Sequence, residues 1–308
     1  MRRRRSRLLS ALLATFAVLL LGASSAQLSS RFLSGQREPV SLLAAKPPVA
    51  PDAAPSAAAP AAAPAVNFDA LAAKATAAAQ VSGADFSLAL MDRQTGRVVV
   101  SGDQAPFPLA SVAKLFIADD LLIGSAQRKQ PLSPADQHAL EAMLRSSDDW
   151  AADDFWVRGG GNAIINRVSA RYKLASTKVP YDGNWWNTMS TTADLVRYYA
   201  MLIDGSGGLP RAQADVILAN LAASSPLGAD GYPQRFGIPE GLFAEPVAVK
   251  QGWMCCWNGP NWLHLSTGVI GSDRRYVIAV GSMQPVDDAT ARETVTKALK
   301  TMFPQGRI

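Results

Sequence analysis

The chain has 308 residues, 48% of them hydrophobic, which is enough for one sizeable domain together with a targeting segment. Its net charge of +5 has a single origin: Arg2, Arg3, Arg4, Arg5 and Arg7 are five of the 30 basic residues, and none of the 25 acidic residues lies in the first 26 positions. The rest of the chain is charge-balanced, so composition excludes the basic patch that nucleic acid would need.

The arginines run into an apolar stretch over 8–21, followed by the small residues Ala23, Ser24, Ser25 and Ala26. This order reads as an export signal over 1–26, cleaved after Ala26. The uncharged run to Ser30 leaves an uncleaved N-terminal anchor as the alternative, and that segment is the one expected contact with a membrane. No cysteine follows the apolar run, so a lipid on an N-terminal cysteine is not available. Over 44–65 nearly every residue is Ala or Pro, which breaks helices and offers no apolar face, so 27–66 reads as an extended tether. The folded part is expected over 67–308, in a secreted or envelope-located protein.

Asn67 is expected to cap a helix over 68–80. Alternating residues over 86–91 and 97–100, joined by Asp92-Arg93-Gln94-Thr95-Gly96, predict a β-hairpin. A helix beginning near Ala110 follows. Ser133-Pro134 opens another over 134–143, and further helices are predicted over 150–157, over 163–172 capped by Asn162, over 192–202 and over 211–222. The pattern then changes to strands at 247–250, 262–270 and 276–280, closed by a helix over 287–302. Strands at both chain ends with helices between them predict an α+β fold, in which an antiparallel sheet is completed by both termini and a helical lobe is inserted.

Ser111-Val112-Ala113-Lys114 carries the sharpest chemical signal. A serine and a lysine three apart at the start of an apolar helix share one face, a nucleophile beside a base. Free N–H groups of that first turn would face an oxyanion formed on whatever Ser111 attacks. The same spacing arises by chance in surface helices, so it needs support from elsewhere. Ser147-Asp148-Asp149 falls at a junction between two predicted helices, and Lys250-Gln251-Gly252 at the end of a predicted strand.

Together the three segments resemble the signature elements of the penicillin-binding proteins and serine β-lactamases. Gly159-Gly160-Gly161-Asn162 is similar to the glycine-initiated helix of class A β-lactamases. Thr191-Thr192-Ala193-Asp194-Leu195 resembles their Thr-Thr segment, and Phe236-Gly237-Ile238-Pro239-Glu240-Gly241 their approach to the Lys-Thr-Gly strand. The resemblance implies a three-layer α/β/α sandwich with about five antiparallel strands and an all-helical lobe. It also implies a monomeric serine acyl-enzyme that needs no metal or cofactor and acts on a β-lactam or a peptidoglycan-derived peptide. In that scheme Ser111 attacks the carbonyl, Lys114 takes its proton, Ser147 relays a proton to the leaving nitrogen and Lys250 holds a substrate carboxylate. The N–H groups of Ser111 and Trp253 form the oxyanion hole, and Asp149, Gln251, Gly252 and Trp253 bind substrate.

The chain departs from the family pattern at several places. Asp149 stands where the family has Asn, an anion that would hold Lys114 protonated. Gln251 replaces a Thr or Ser next to Lys250, and Trp253 is large for its place. No glutamate occurs between Glu141 and Glu240, so the family's deacylating glutamate is missing; Asp182 is the one candidate base, with a turn residue before Gly183 as its plain reading. These departures define a second reading, a non-catalytic member that binds cell-wall material or a protein.

Other conspicuous residues are expected to be structural. Trp185, Trp186, Trp253, Trp257 and Trp262 are read as core, with a sugar or peptide groove as the alternative. His138 and His264 have no Gly-x-Ser-x-Gly elbow to serve. Asp119-Asp120 and Asp153-Asp154 are read as solvated helix faces. Adjacent Cys255 and Cys256 are expected as two thiols, one packed inside, with a strained bridge as the alternative.

Overall fold

The structure is a computed structural model and describes residues 66–308, so the export segment and almost all of the tether lie outside the described residues. Helix α1, Phe68–Val81, starts where Asn67 accepts the Ala70 N–H. It leads into the hairpin of β1, Asp85–Asp92, and β2, Arg97–Gly102, turned where Asp92 Oδ1 accepts the Gln94 N–H. The two-residue strand β3, Phe107–Pro108, precedes a 3₁₀ turn over Ala110–Ala113 and helix α2, Lys114–Arg128. The lobe continues with α3, Pro134–Arg145, α4, Asp149–Arg158, and α5, Asn162–Tyr172. Strand β4, Met189–Ser190, pairs with β3, and α6, Thr192–Asp204, and α7, Arg211–Ala222, complete the lobe. A single turn α8, Ile238–Gly241, leads to β5, Val247–Trp257, β6, Asn261–Ile270, β7, Tyr276–Gln284, and α9, Asp288–Met302.

The predicted five-stranded antiparallel sheet forms in the order β2-β1-β7-β6-β5. Strands from the two chain ends meet at β1 and β7, where Leu88 lies opposite Val280 and Leu90 opposite Ile278. Side chains alternate across the sheet. Phe86, Leu88, Leu90, Ile278 and Val280 pack with α1 and α9, whereas Ala89, Val277 and Ala279 pack with the helical lobe. Phe68 meets Phe303 and Tyr276 edge-on, closing the outer layer. Each large side chain so buried contributes about 2 kcal/mol relative to exposure.

Several expectations are corrected. The segment from Ala110 is a 3₁₀ turn before α2 rather than the first turn of an α-helix. Gly161, at φ +61°, occupies the cap position of α5, while the Asn162 side chain donates to the Pro180 carbonyl. Asp119 is fully buried: one carboxylate oxygen accepts from Arg171 and the other from Tyr172 and Tyr198, tying α2 to α5 and α6. Burial drives its carboxyl upward, and the Arg171 guanidinium opposes that. Asp120 is half-buried and takes two bonds from Arg167, whereas Asp153 and Asp154 are exposed on α4 as expected, Asp153 accepting the Trp185 indole N–H and Asp154 accepting from Arg158. Cys255 and Cys256 are joined as a disulfide and both are exposed, in an irregularity where β5 loses register with β6 between Met254 and Trp257.

Candidate active site

Ser111 sits in the 3₁₀ turn that follows β3. Ala110 enters that turn at φ +46°, a left-handed conformation that costs a non-glycine residue energy and is held by the buried Leu109, Val112 and Leu115 around it. In a 3₁₀ turn residues three apart eclipse, which stacks Lys114 directly under Ser111. Lys114 Nζ lies 2.9 Å from Ser111 Oγ, 2.6 Å from the Ser147 carbonyl and 2.5 Å from Asp149 Oδ1. A neutral amine has two N–H groups and one lone pair. As an ammonium Lys114 can donate to all three oxygens, Ser111 Oγ included; once deprotonated, its two N–H groups suffice for Ser147 and Asp149 and its lone pair faces the Ser111 hydroxyl. Lys114 is fully buried, and burial pushes its ammonium below the usual lysine range while Asp149 pulls the other way.

Ser147 occupies the junction of α3 and α4 at φ +56°, and the next residue, Asp148, caps α4 through the Ala151 N–H. The strained junction lets one residue present its carbonyl to Lys114 and its hydroxyl to Lys250, whose Nζ donates to Ser147 Oγ. Lys250 also bonds the Gln251 carbonyl at 3.2 Å. It is 2% exposed, and burial followed by the nearby Lys114 charge holds its ammonium well below the usual range. Asp149 is the first residue of α4 and its side chain is 68% exposed, so the carboxylate both touches Lys114 and faces solvent.

Strand β5 reaches the 3₁₀ turn closely at Gly252. A Cβ there would stand 2.6 Å from the Leu109 carbonyl oxygen and 3.3 Å from the Val112 nitrogen, so a side chain would push the strand off Ser111. Trp253 follows, its indole stacked on Tyr232 at 4.5 Å and 10°. Tyr232 is itself fixed by hydrogen bonds to His264 and Asp288. Gln251, by contrast, is 2% exposed and its amide donates to the Phe236 carbonyl, with Oε1 left buried and unpartnered. It does not line the cavity.

The cavity over Ser111 measures about 120 Å³ and is lined also by Ser147, Asp149, Trp185, Trp186, Asp230 and Trp253. A larger groove of about 690 Å³ runs between α2, α4 and α5, but three of its four arginines, Arg158, Arg167 and Arg171, are already paired with aspartates. Ser111 and Ser147 line the smaller cavity, with Lys114 and Lys250 bonded to them from behind, so it is the candidate site.

Asp182 does not join this group. It is exposed, and its carboxylate accepts from the Asn184 N–H at 3.1 Å, Asn184 Nδ2 at 2.7 Å and Asn187 Nδ2 at 2.8 Å. Slight burial raises that carboxyl, but the three donors outweigh it and leave it below the usual range. Sequence reasoning misses Asp230 altogether, since Gly228-Ala229-Asp230-Gly231 reads as a turn and Asp230 Oδ1 does accept the Tyr232 N–H. Trp185, Trp186 and Trp253 are expected in the core; Trp185 is buried, yet all three border the cavity. The signal for them is aromatic clustering on both sides of a candidate cleft.

Fold comparison identifies the class. A β-lactamase from Chitinophaga pinensis (15% identity, TM-score 0.60, 75% of this chain and 97% of that one) and the extended-spectrum β-lactamase TLA-1 (12%, 0.61, 75% and 97%) share the fold. So does a penicillin-binding protein, PBP-A, solved in a point-mutant form as an acyl-enzyme complex with penicillin G (16%, 0.63, 76% and 95%). The protein thus has the β-lactamase and penicillin-binding-protein fold. Proteins named "Putative lipoprotein LppW" from Mycobacterium tuberculosis and Mycobacterium bovis are 61% identical over 235 residues, 76% of this chain and 74% of theirs. The chain belongs to the LppW family. No protein-family model matches the sequence.

Proposed function

We propose that this chain is an exported serine acyl-enzyme, hydrolase or transferase, which acts through Ser111 on a β-lactam or on a cell-wall peptide amide. The observation that carries the reading is the position of Lys114 Nζ, 2.9 Å from Ser111 Oγ and held there by the Ser147 carbonyl and Asp149. Acylation forms the Oγ–carbonyl bond while Lys114 takes the hydroxyl proton. The carbon–nitrogen bond then breaks, and Ser147, hydrogen-bonded to Lys250, hands its hydroxyl proton to the departing nitrogen and is reprotonated with the proton that Lys114 took from Ser111, leaving both groups as they began. Water finally cleaves the ester, giving the acid and restoring Ser111. The cavity lining offers Asp149, engaged with Lys114, and Asp230 as its carboxylates, so the acyl-enzyme is expected to be long-lived.

Residues 1–26 are proposed as the export signal or anchor and 27–66 as the tether that holds the domain away from it. The lipoprotein name of the relatives fits an envelope location, although in this sequence both cysteines stand at 255 and 256.

The test is intact mass after incubation with penicillin G and, separately, with a neutral fluorophosphonate. A single adduct that persists and is absent in Ser111→Ala is the expected result. No adduct with either reagent would sink the acyl-enzyme and leave the second reading, a binding module. That reading is favoured by two specific features, the Asp149 contact on Lys114 and the inward-turned Gln251 amide.

A further inference from the structure

We infer that the cleft prefers a substituted ammonium group to a carboxylate, so that among the acyl compounds proposed above it acts fastest on those with a cationic or neutral head and more slowly on the carboxylate penicillin G. As a statement about substrate this rests on the acyl-enzyme reading; as a statement about binding it stands alone.

The charge that a ligand meets is set by which ionic groups reach the surface. Asp149 and Asp230 are both exposed at the cavity, whereas Lys114 and Lys250 lie behind them at 0% and 2% exposure. Among the described residues, no arginine lines the cavity. Both carboxylates act electrostatically on both lysines, so their fields overlap inside the site. The two lysines are also committed: Lys114 to Ser147 and Asp149, Lys250 to Ser147 Oγ and the Gln251 carbonyl. The position beside Lys250 from which a side chain could hold an anion is filled by Gln251, whose N–H is given to Phe236.

The remaining wall is aromatic. Trp185, Trp186 and Trp253 border the cavity, and an indole face attracts a cation most strongly when water is displaced from it. Lys114 Nζ lies 4.7 Å from the Trp185 ring centroid, so an amine nitrogen already sits against this wall. Trp253 cannot swing aside without breaking its stack on Tyr232. At about 120 Å³ the cavity has the volume of roughly four liquid waters, suited to a small alkylammonium head. Two exposed carboxylates and three indoles, with no cationic side chain lining the cavity, together favour positive charge.

The experiment uses the full chain and Asp230→Asn, which keeps an oxygen for the Tyr232 N–H. Three probes of matched shape, tetramethylammonium, tert-butanol and trimethylacetate, are titrated against tryptophan fluorescence. In parallel, acetylthiocholine and its uncharged counterpart 3,3-dimethylbutyl thioacetate are compared by thiol release. Tetramethylammonium is expected to bind at least tenfold more tightly than tert-butanol, with trimethylacetate weakest. Acetylthiocholine should be favoured in kcat/KM by a similar factor, and Asp230→Asn should remove most of both preferences. Equal binding of the three probes, tighter binding of trimethylacetate, or a preference untouched by Asp230→Asn overturns the inference. Cleavage of both esters at equal rates overturns it while the acyl-enzyme stands. A cation preference in binding with no thiol released supports the inference and sinks the acyl-enzyme instead.

Discussion

At the scale of single residues, the decisive contact is that between Lys114 and Asp149, because one carboxylate sets how easily the buried amine gives up its proton. Burial lowers the Lys114 ammonium and Asp149, 2.5 Å away, raises it. Asp149→Asn keeps an oxygen acceptor for Nζ but removes the charge, so the neutral, base-competent form extends to lower pH. The acidic limb of the pH profile for fluorophosphonate labelling of Ser111 should therefore move down by about one pH unit, about tenfold in rate on that limb. An unmoved limb would show that Asp149 does not control the base. The identity of Asp149 is legible in the sequence, as is its expected place beside Lys114, because a motif fixes residue types at fixed offsets. Asp230 is not legible: it is 119 positions from Ser111, it sits in an ordinary turn, and only folding brings it to the cavity.

At the scale of elements, strand pairing overrides local pattern. The sequence pattern stops β5 at Lys250, since Gln251, Gly252 and the paired cysteines carry no strand signal, yet pairing with β6 extends it to Trp257. The two-residue ribbon of β3 and β4 is too short to show any periodicity, although it delivers the chain into the Ser111 turn. One fully buried side chain on β6 ties these strands to the surrounding elements. His264 Nε2 lies 2.7 Å from the Tyr232 hydroxyl and 3.1 Å from Asp288 Oδ1 on α9, and Tyr232 carries Trp253. With Tyr232 donating to Asp288, Nε2 is left to carry the proton of a neutral ring. Burial holds this imidazole down at about 4, against 6.5 when free, with Asp288 opposing. Because the folded value is the lower one, the unfolded chain binds the extra proton between pH 6.5 and 4. The stabilisation is complete above pH 6.5 and lost as pH falls through about 4. His264→Gln should lose less stability than the parent between about pH 7 and 4, by about 3 kcal/mol in urea unfolding. Parallel curves for the two proteins would refute a neutral, buried His264.

At the scale of the whole molecule, the sheet is closed by segments from opposite ends of the folded chain, and this governs both how it folds and what can be removed. Ser87 pairs with Gly281 and Asp92 with Tyr276, so the central strand contact closes a loop that contains the entire lobe. Such non-local pairing makes folding slow, because loop closure is met before the contact repays it. The hydrophobic layers repeat the same dependence. Phe86, Leu88 and Leu90 of β1 are covered by Ile278 and Val280 of β7 and by Val295 and Leu299 of α9. The lobe, for its part, packs onto Leu263, Leu265, Val277 and Ala279. A fragment of residues 66–246 keeps α1, the hairpin and every helix of the lobe, yet it uncovers both faces that the late strands bury. A two-stranded hairpin with an open apolar face is at best marginal in water. The fragment should therefore retain helical far-ultraviolet circular dichroism, bind a hydrophobic dye and show no cooperative urea transition. Adding residues 247–308 as a separate peptide should restore the transition, because it supplies β5, β6, β7 and α9 as one contiguous unit. A sharp transition in the fragment alone, near the midpoint of the full chain, would mean that the helical lobe is an independent folding unit. The Ser111 turn would then be held without β5. Fluorophosphonate labelling of the fragment reads this directly: with Gly252 and Lys250 absent, nothing backs the 3₁₀ turn or bonds Ser147 Oγ, and labelling of Ser111 should fall below detection until the peptide is added.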